Sequence, residues 1–213
     1  MADKIITGKA DKTRTAIKDA FITLYKKSNL SNITVRKVCE NAGVTRSTFY
    51  FYFQSIYDLL ESIENELEEG LSTYFETYNR HKLLADDSSP YMSTSRWFAF
   101  CMENANYLTA VMGPHGDPAF EYRIRQKLKK DINSMMDSDN MPNDNLRKYI
   151  AEYMASATIA LVRYWLENGS DLSPEQLAII ANIMREGAVL RKSYERELTK
   201  AKPNGRRIKE QHS

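Results

Sequence analysis

Apolar side chains in this chain recur at steps of three and four residues from one end to the other. That single periodicity removes most folds before composition is considered. Ile17, Ala20, Phe21 and Leu24 fall at i, i+3, i+4 and i+7, one face of a helix over about 11–27. Thr34 is an N-cap candidate, Val35, Val38, Cys39 and Ala42 repeat the spacing, and Gly43 supplies a left-handed stop. Thr45 starts a third short helix running to about Phe53. Ser55 opens a long fourth one, striped by Leu60, Ile63, Leu67, Leu71 and Tyr74 and ending near Tyr78. Helical pattern then returns over about 91–104, 105–112, 119–136, 144–168 and 173–192, broken at 85–90, 113–118 and 169–172. With no hairpin signal and no internal repeat, an all-α fold is predicted. It divides into an N-terminal three-helix bundle over 1–54, a helical body over 55–192 and a basic, disordered tail over 193–213.

The charge is distributed unevenly along this helical chain. The net charge is +2, but residues 1–54 carry +6, residues 55–191 carry −8 and residues 192–213 carry +4. A basic head on an acidic body suits a polyanion at the head, although a surplus of this size also fits a merely solvated face. No run approaches the ~20 apolar residues a bilayer requires, and residues 1–12 lack the apolar core of a signal peptide. Cys39 and Cys101 sit inside apolar patterns, as buried free thiols of a reducing compartment do. A cytoplasmic, nucleoid-associated protein with no membrane partner is expected.

The most informative stretch is the turn at Ala42-Gly43-Val44-Thr45. Two short helices joined there make a helix-turn-helix, whose second helix presents its N-terminal residues to a major groove. Those residues are Thr45, Arg46, Ser47 and Thr48, three small hydroxyls and one guanidinium. Tyr50 and Tyr52 add phenols able to reach phosphates, while Phe49 and Phe53 face inward. A generic helix pair needs the same turn, so the turn alone does not specify DNA.

The run from Ile33 through Phe53, followed by Leu59-Leu60, resembles the DNA-binding domain of the TetR (tetracycline-repressor) family of bacterial regulators, and the resemblance covers 13–63. It implies an all-helical homodimer with a DNA-binding head and a larger ligand domain. It further implies that Thr34 and Tyr50 hold phosphates, that Thr45, Arg46, Thr48 and Phe51 face bases, and that Tyr52 sits at the groove edge. One position departs from the pattern: Ile56 stands where the family commonly has a backbone-gripping lysine. Over 149–177 the chain is more loosely similar to TetR-like regulators related to dihydroxyacetone-kinase operon activators, on Tyr149–Tyr153, Tyr164–Gly169 and Ser173–Leu177.

Enzyme chemistry has no foothold in the sequence. P-loop, GxGxxG, HExxH, CxxC and GxSxG motifs are missing, so no catalytic residue and no cofactor are expected. His81, His115 and His212 are far apart, and His115 with Asp117 and Glu121 fits a polar loop better than a metal site. Trp97, Phe98, Cys101, Tyr107, Met112 and Phe120 are candidates for an apolar pocket taking a small apolar or aromatic effector. The helix over 144–168 is apolar on more than one face. Tyr153, Met154, Leu161, Tyr164 and Trp165, with Ile180, Ile183 and Met184 beyond, are therefore expected at a homodimer interface. The resulting expectation is a homodimeric regulator that reads a pseudo-palindromic duplex operator and is released or activated by the effector. A co-regulator working through contacts with another regulator is the alternative.

Overall fold

The computed structural model describes residues 9–83, 90–138 and 140–189, and nine α-helices account for most of them. They are α1 Lys9–Tyr25, α2 Val35–Ala42, α3 Arg46–Tyr52, α4 Ile56–Leu83, α5 Pro90–Glu103, α6 Ala105–Val111, α7 Pro118–Ser138, α8 Asn145–Glu167 and α9 Pro174–Val189. No strand occurs among the described residues, so the protein is all-α. None of these helices is long and apolar enough to cross a membrane. The tail expected over 193–213 with its His212, and all of the 85–90 loop but Pro90, lie outside the described residues.

The caps explain where the helices begin. Thr34 Oγ1 accepts from the Lys37 N–H, Thr45 Oγ1 from Thr48, Ser55 Oγ from Asp58, Asp144 from Arg147 and Ser173 Oγ from Gln176. Each fills one of the amide donors a helix start leaves open. Gly43 ends α2 at φ 65°, ψ 34°, a left-handed conformation that a Cβ disfavours. Gly43→Ala is therefore expected to lower stability by about 1 kcal/mol. Urea unfolding should show a lower midpoint at unchanged slope.

Helices α1 to α3 close over Ile17, Phe21, Val38, Phe49 and Phe53. The head then joins the body through α4, whose Leu60, Ile63, Leu67 and Leu71 are all buried. In the body α5 packs on α9 and on α4, and α7 packs on α8. Arg147 is buried at the turn between α7 and α8, where its guanidinium donates to the Asn133 and Met141 carbonyls and pairs with Asp137.

Two sequence expectations are corrected by this packing. Trp165 is no interface residue: it is 2% exposed in its own protomer, edge-on to Phe98, and its Nε1 donates to the Leu172 carbonyl at 3.0 Å. Trp97, Phe98, Cys101 and Phe120 are also core, buried in the same cluster as Trp165. Helical aromatics in mid-chain fill the body itself, which a chain of this length needs in order to bury its apolar surface.

Candidate nucleic-acid interface and the seam behind it

Helix α3 is anchored from below and open above. Phe49 and Phe53 are buried one turn apart, which fixes the roll of the helix about its axis. That roll leaves Arg46, Ser47, Tyr50 and Phe51 exposed and Thr48 and Tyr52 half-buried. Phe51 is 80% exposed, its ring edge-on to that of Tyr52 at 4.9 Å. An aromatic ring left that bare is unfavourable unless something covers it.

Hydroxyl groups at the start of α3 form a small cluster. Besides accepting from the Thr48 amide, Thr45 Oγ1 lies 2.8 Å from both Ser47 Oγ and Thr48 Oγ1. The Thr45 oxygen is thus engaged in its own helix start. Arg46 has no ion-pair partner among the described residues, whereas Arg36, one helix earlier, is tied to Glu40 at 2.7 Å. Thr34 is exposed at the start of α2, its cap bond leaving the hydroxyl proton to donate elsewhere. Thr45→Ala should cost about 1 kcal/mol of stability through the lost cap. Thermal unfolding checks this, and an unchanged midpoint would show that the cap carries no weight.

Ile56, at the position where a lysine was to be expected, is buried under the head beside Leu59 and Leu60. Its side chain strengthens the joint between α3 and α4 and offers no charge to a phosphate. The exposed phenol one residue on, Tyr57, is a group the sequence did not single out.

Behind the head lies a polar seam with the body. The Tyr107 hydroxyl donates to Asp19, Lys26 Nζ donates to Asn106 at 2.7 Å, and His115 Nδ1 pairs with Asn29 Oδ1 at 2.9 Å. Tyr107, expected in a pocket, is thus a link from α6 to α1, and burial next to Asp19 raises its pKa. His115, set beside Asp117 and Glu121 in the sequence, meets Asn29 between α1 and α2. Arg123 of α7 grips α4: Nη2 is 2.7 Å from Glu64 and Nε 2.5 Å from Glu68, with Asp117 at 3.8 Å. Burial pushes the Glu64 carboxyl above its usual range, Asp117 and Glu68 push the same way, and Arg123 pulls it back. Burial likewise raises the Tyr25 phenol beside it to about 12. No local period announces these contacts of α1 with α6, of Asn29 with His115 and of α4 with α7, whose partners stand 55 to 88 residues apart.

A cavity of about 340 Å³ opens where the connection between α6 and α7 passes the end of α8. Of the six sequence-proposed pocket residues only Met112 lines it; most of the wall is Gly113, Pro114, Gly116, Asp117, Pro118, Glu121, Arg163 and Glu167. The tight turn here requires Gly116, since a Cβ would run into the Val111 carbonyl.

Comparison with known proteins decides what this arrangement is. The family model described as "Bacterial regulatory proteins, tetR family" matches residues 19–63, and a "Transcriptional regulator C-terminal region" model matches 88–187. The two together span about two thirds of the chain. The chain belongs to the TetR family. Among its relatives is the uncharacterized HTH-type transcriptional regulator YxbF of Bacillus subtilis, 22% identical over 163 residues. That match covers 76% of this chain but only 42% of YxbF, so the chain spans less than half the length of that relative. The fold is shared with the dihydroxyacetone kinase operon activator DhaS (TM-score 0.53, 22% identity, 82% of this chain and 94% of that one). It is shared equally with a TetR regulator of Streptococcus agalactiae (0.53, 24%, 83% and 95%). A TetR-family regulator of Streptomyces coelicolor superposes with a TM-score of 0.59 at 17% identity, over 91% of this chain and 87% of that one. Within the TetR fold, α2 and α3 are the helix-turn-helix.

Proposed function

We propose that this TetR-family chain is a cytoplasmic transcription regulator that binds duplex DNA as a homodimer, each head, made by residues 1–54, reading one half of a pseudo-palindromic operator. The observation that carries this is the outward face of α3: an exposed Arg46 with no ion-pair partner among the described residues, hydroxyls at Ser47 and Thr48, and a bare Phe51, all held by Phe49 and Phe53 from below. A guanidinium there can donate two hydrogen bonds to a guanine edge, and Phe51 can cover a thymine methyl. Thr34, Tyr50 and Tyr52 supply hydroxyls for phosphates on either side, and Thr45 positions the helix through its cap. Ile56 removes one phosphate contact, which flattens the salt dependence by about one unit of slope per half-site.

Dimerisation is supported by what α8 and α9 leave uncovered. Tyr149, Tyr153 and Tyr164 on α8, and Ile179, Ile183 and Met184 on α9, are exposed, with Met154, Leu161 and Ile180 half-buried beside them. Two such helices from each protomer make a four-helix interface. A two-fold dimer then places its heads for half-sites about one DNA turn apart or a multiple of it.

Two measurements test this. Light scattering should give twice the 24.6 kDa chain mass at micromolar concentration. Selection from a random duplex pool should return an inverted repeat. A monomer with an inverted-repeat preference would overturn the dimer; a dimer that enriches nothing would overturn the operator and favour the co-regulator alternative.

A further inference from the structure

We propose that Asn106, Tyr107 and His115 are positioning residues that hold the head on the body and thereby set the gap between half-sites that the dimer accepts. This rests on the homodimer and inverted-repeat reading, and adds to it the cause of the gap within that repeat.

The head meets the body along two borders of opposite character. Towards α4 the border is closed: Phe21 and Phe53 of the head and Ile56, Leu59 and Ile63 of α4 are all buried. Beside them buried Lys18 donates to both oxygens of Glu66 at 2.5 Å, and Arg14 reaches the same carboxylate at 2.9 Å. Towards α6 the border is polar. Asp19 accepts from the Tyr107 hydroxyl, Asn106 Oδ1 accepts from Lys26 Nζ at 2.7 Å, and His115 Nδ1 stands 2.9 Å from Asn29 Oδ1. Asp19, Lys26 and Asn29 are all exposed. Opening the α4 border would bare apolar surface, whereas the α6 border exchanges its hydrogen bonds for water at small cost. The head is therefore hinged at α4 and held at α6.

The three bonds are spread along the head. Asp19 and Lys26 stand two helical turns apart, about 10 Å, and Asn29 lies beyond them. Contacts spread in this way resist rotation about a hinge. On its other side α6 packs on α8, the helix whose exposed tyrosines are assigned to the dimer interface. One route from that interface to each head thus runs through α8, α6 and these three bonds. One base pair more or less between half-sites moves them by about 3.4 Å along the duplex and turns one against the other by about a tenth of a turn. A head held at α6 cannot follow that change; a head released there can turn about α4. Each exposed bond of this kind is worth about threefold in an equilibrium, so the three together favour the held placement by about thirtyfold.

The test uses the full chain and the selected inverted repeat, with its gap lengthened or shortened by one base pair. The wild type should bind both altered repeats more weakly than the parent repeat by about tenfold or more. The triple variant Asn106→Ala, Tyr107→Phe, His115→Ala should bring that ratio below about threefold and keep the base preferences inside each half-site. Lys26→Ala with Asn29→Ala cuts two of the bonds from the head side and should relax the gap in the same direction, whether or not the triple variant folds. Asp19→Asn keeps an acceptor for the Tyr107 hydroxyl, and Ser95→Ala loses a bond to Glu175 within the body; both should keep the wild-type profile. Folded variants that discriminate between gaps as the wild type does would overturn the proposal and leave the regulator reading standing. Loss of gap and base preference together would also overturn it, since that marks a loosened head and not a released one. A wild type that selects no inverted repeat strikes the reading beneath, and this proposal with it.

Discussion

Trp165→Ala should destabilise the protein by about 3–5 kcal/mol, a large part of what a domain of this size has to spare. The indole is 2% exposed, stands edge-on to Phe98 in the centre of the body, and its one polar atom is satisfied by Leu172. Truncation removes a large apolar transfer term and leaves a void lined by rigid helices that cannot collapse into it. It also frees the Leu172 carbonyl. The neighbouring Tyr164 projects to solvent, so Tyr164→Ala should keep the far-UV circular dichroism of the parent and raise the monomer fraction on gel filtration. Urea titrations at several protein concentrations separate the two cases, since a loss of association shows as a change in the concentration dependence of the midpoint and a loss of core packing lowers it at every concentration. A Trp165→Ala variant that folds with full stability but no longer dimerises would return Trp165 to the interface.

Arg123→Ala is expected to cost about 3 kcal/mol at neutral pH, the low end for breaking a buried pair because Arg123 is itself 39% exposed. Its loss strands Glu64, whose side chain is 6% exposed and whose Oε1 already lacks a partner. The pH dependence follows from the sign of the shift. The folded Glu64 carboxyl titrates above its unfolded value, so its contribution is fully present below about pH 4.3 and is lost as pH rises through the folded value. Removing Arg123, which pulls that value down, moves it higher still. The deficit of the variant should therefore grow from pH 5 to pH 7.5. A deficit equal at both would show that Glu64 is not the group in question.

Local chemistry was legible in the sequence and distant chemistry was not. Thr34, Gly43, Thr45, Ser55 and Ser173 announce helix ends because a cap acts within three or four residues, and each acts there in the structure. Phe49 and Phe53 could be assigned inward because a four-residue step on a seven-residue helix allows them one shared face. The face of α3 follows from those two. On α8 the same logic fails: a helix covered on one side and exposed on the other has apolar residues at nearly every position, and Tyr164 and Trp165 differ only in which neighbour they meet. Helical aromatics around 97–120 looked like a pocket for the same reason. The cavity seen among the described residues is made by a glycine-tightened turn meeting a helix end, and its acid groups come from two separate stretches, Asp117 and Glu121 at the start of α7 and Glu167 at the end of α8. Glu64 with Arg123 and Asp19 with Tyr107 are pairings that only the folded chain brings together.

The central claim is that α3 reads bases while the residues around it hold the backbone. The most direct measurement is the affinity of the wild type and of Arg46→Ala for a selected operator and for random duplex DNA, at several salt concentrations. Arg46→Ala is expected to lose about 1–3 kcal/mol on the operator, to change little on random DNA, and to relax specificity at one base position in each half-site. Equal losses on both DNAs, with a salt slope shallower by one unit, would make Arg46 a phosphate contact and contradict that claim.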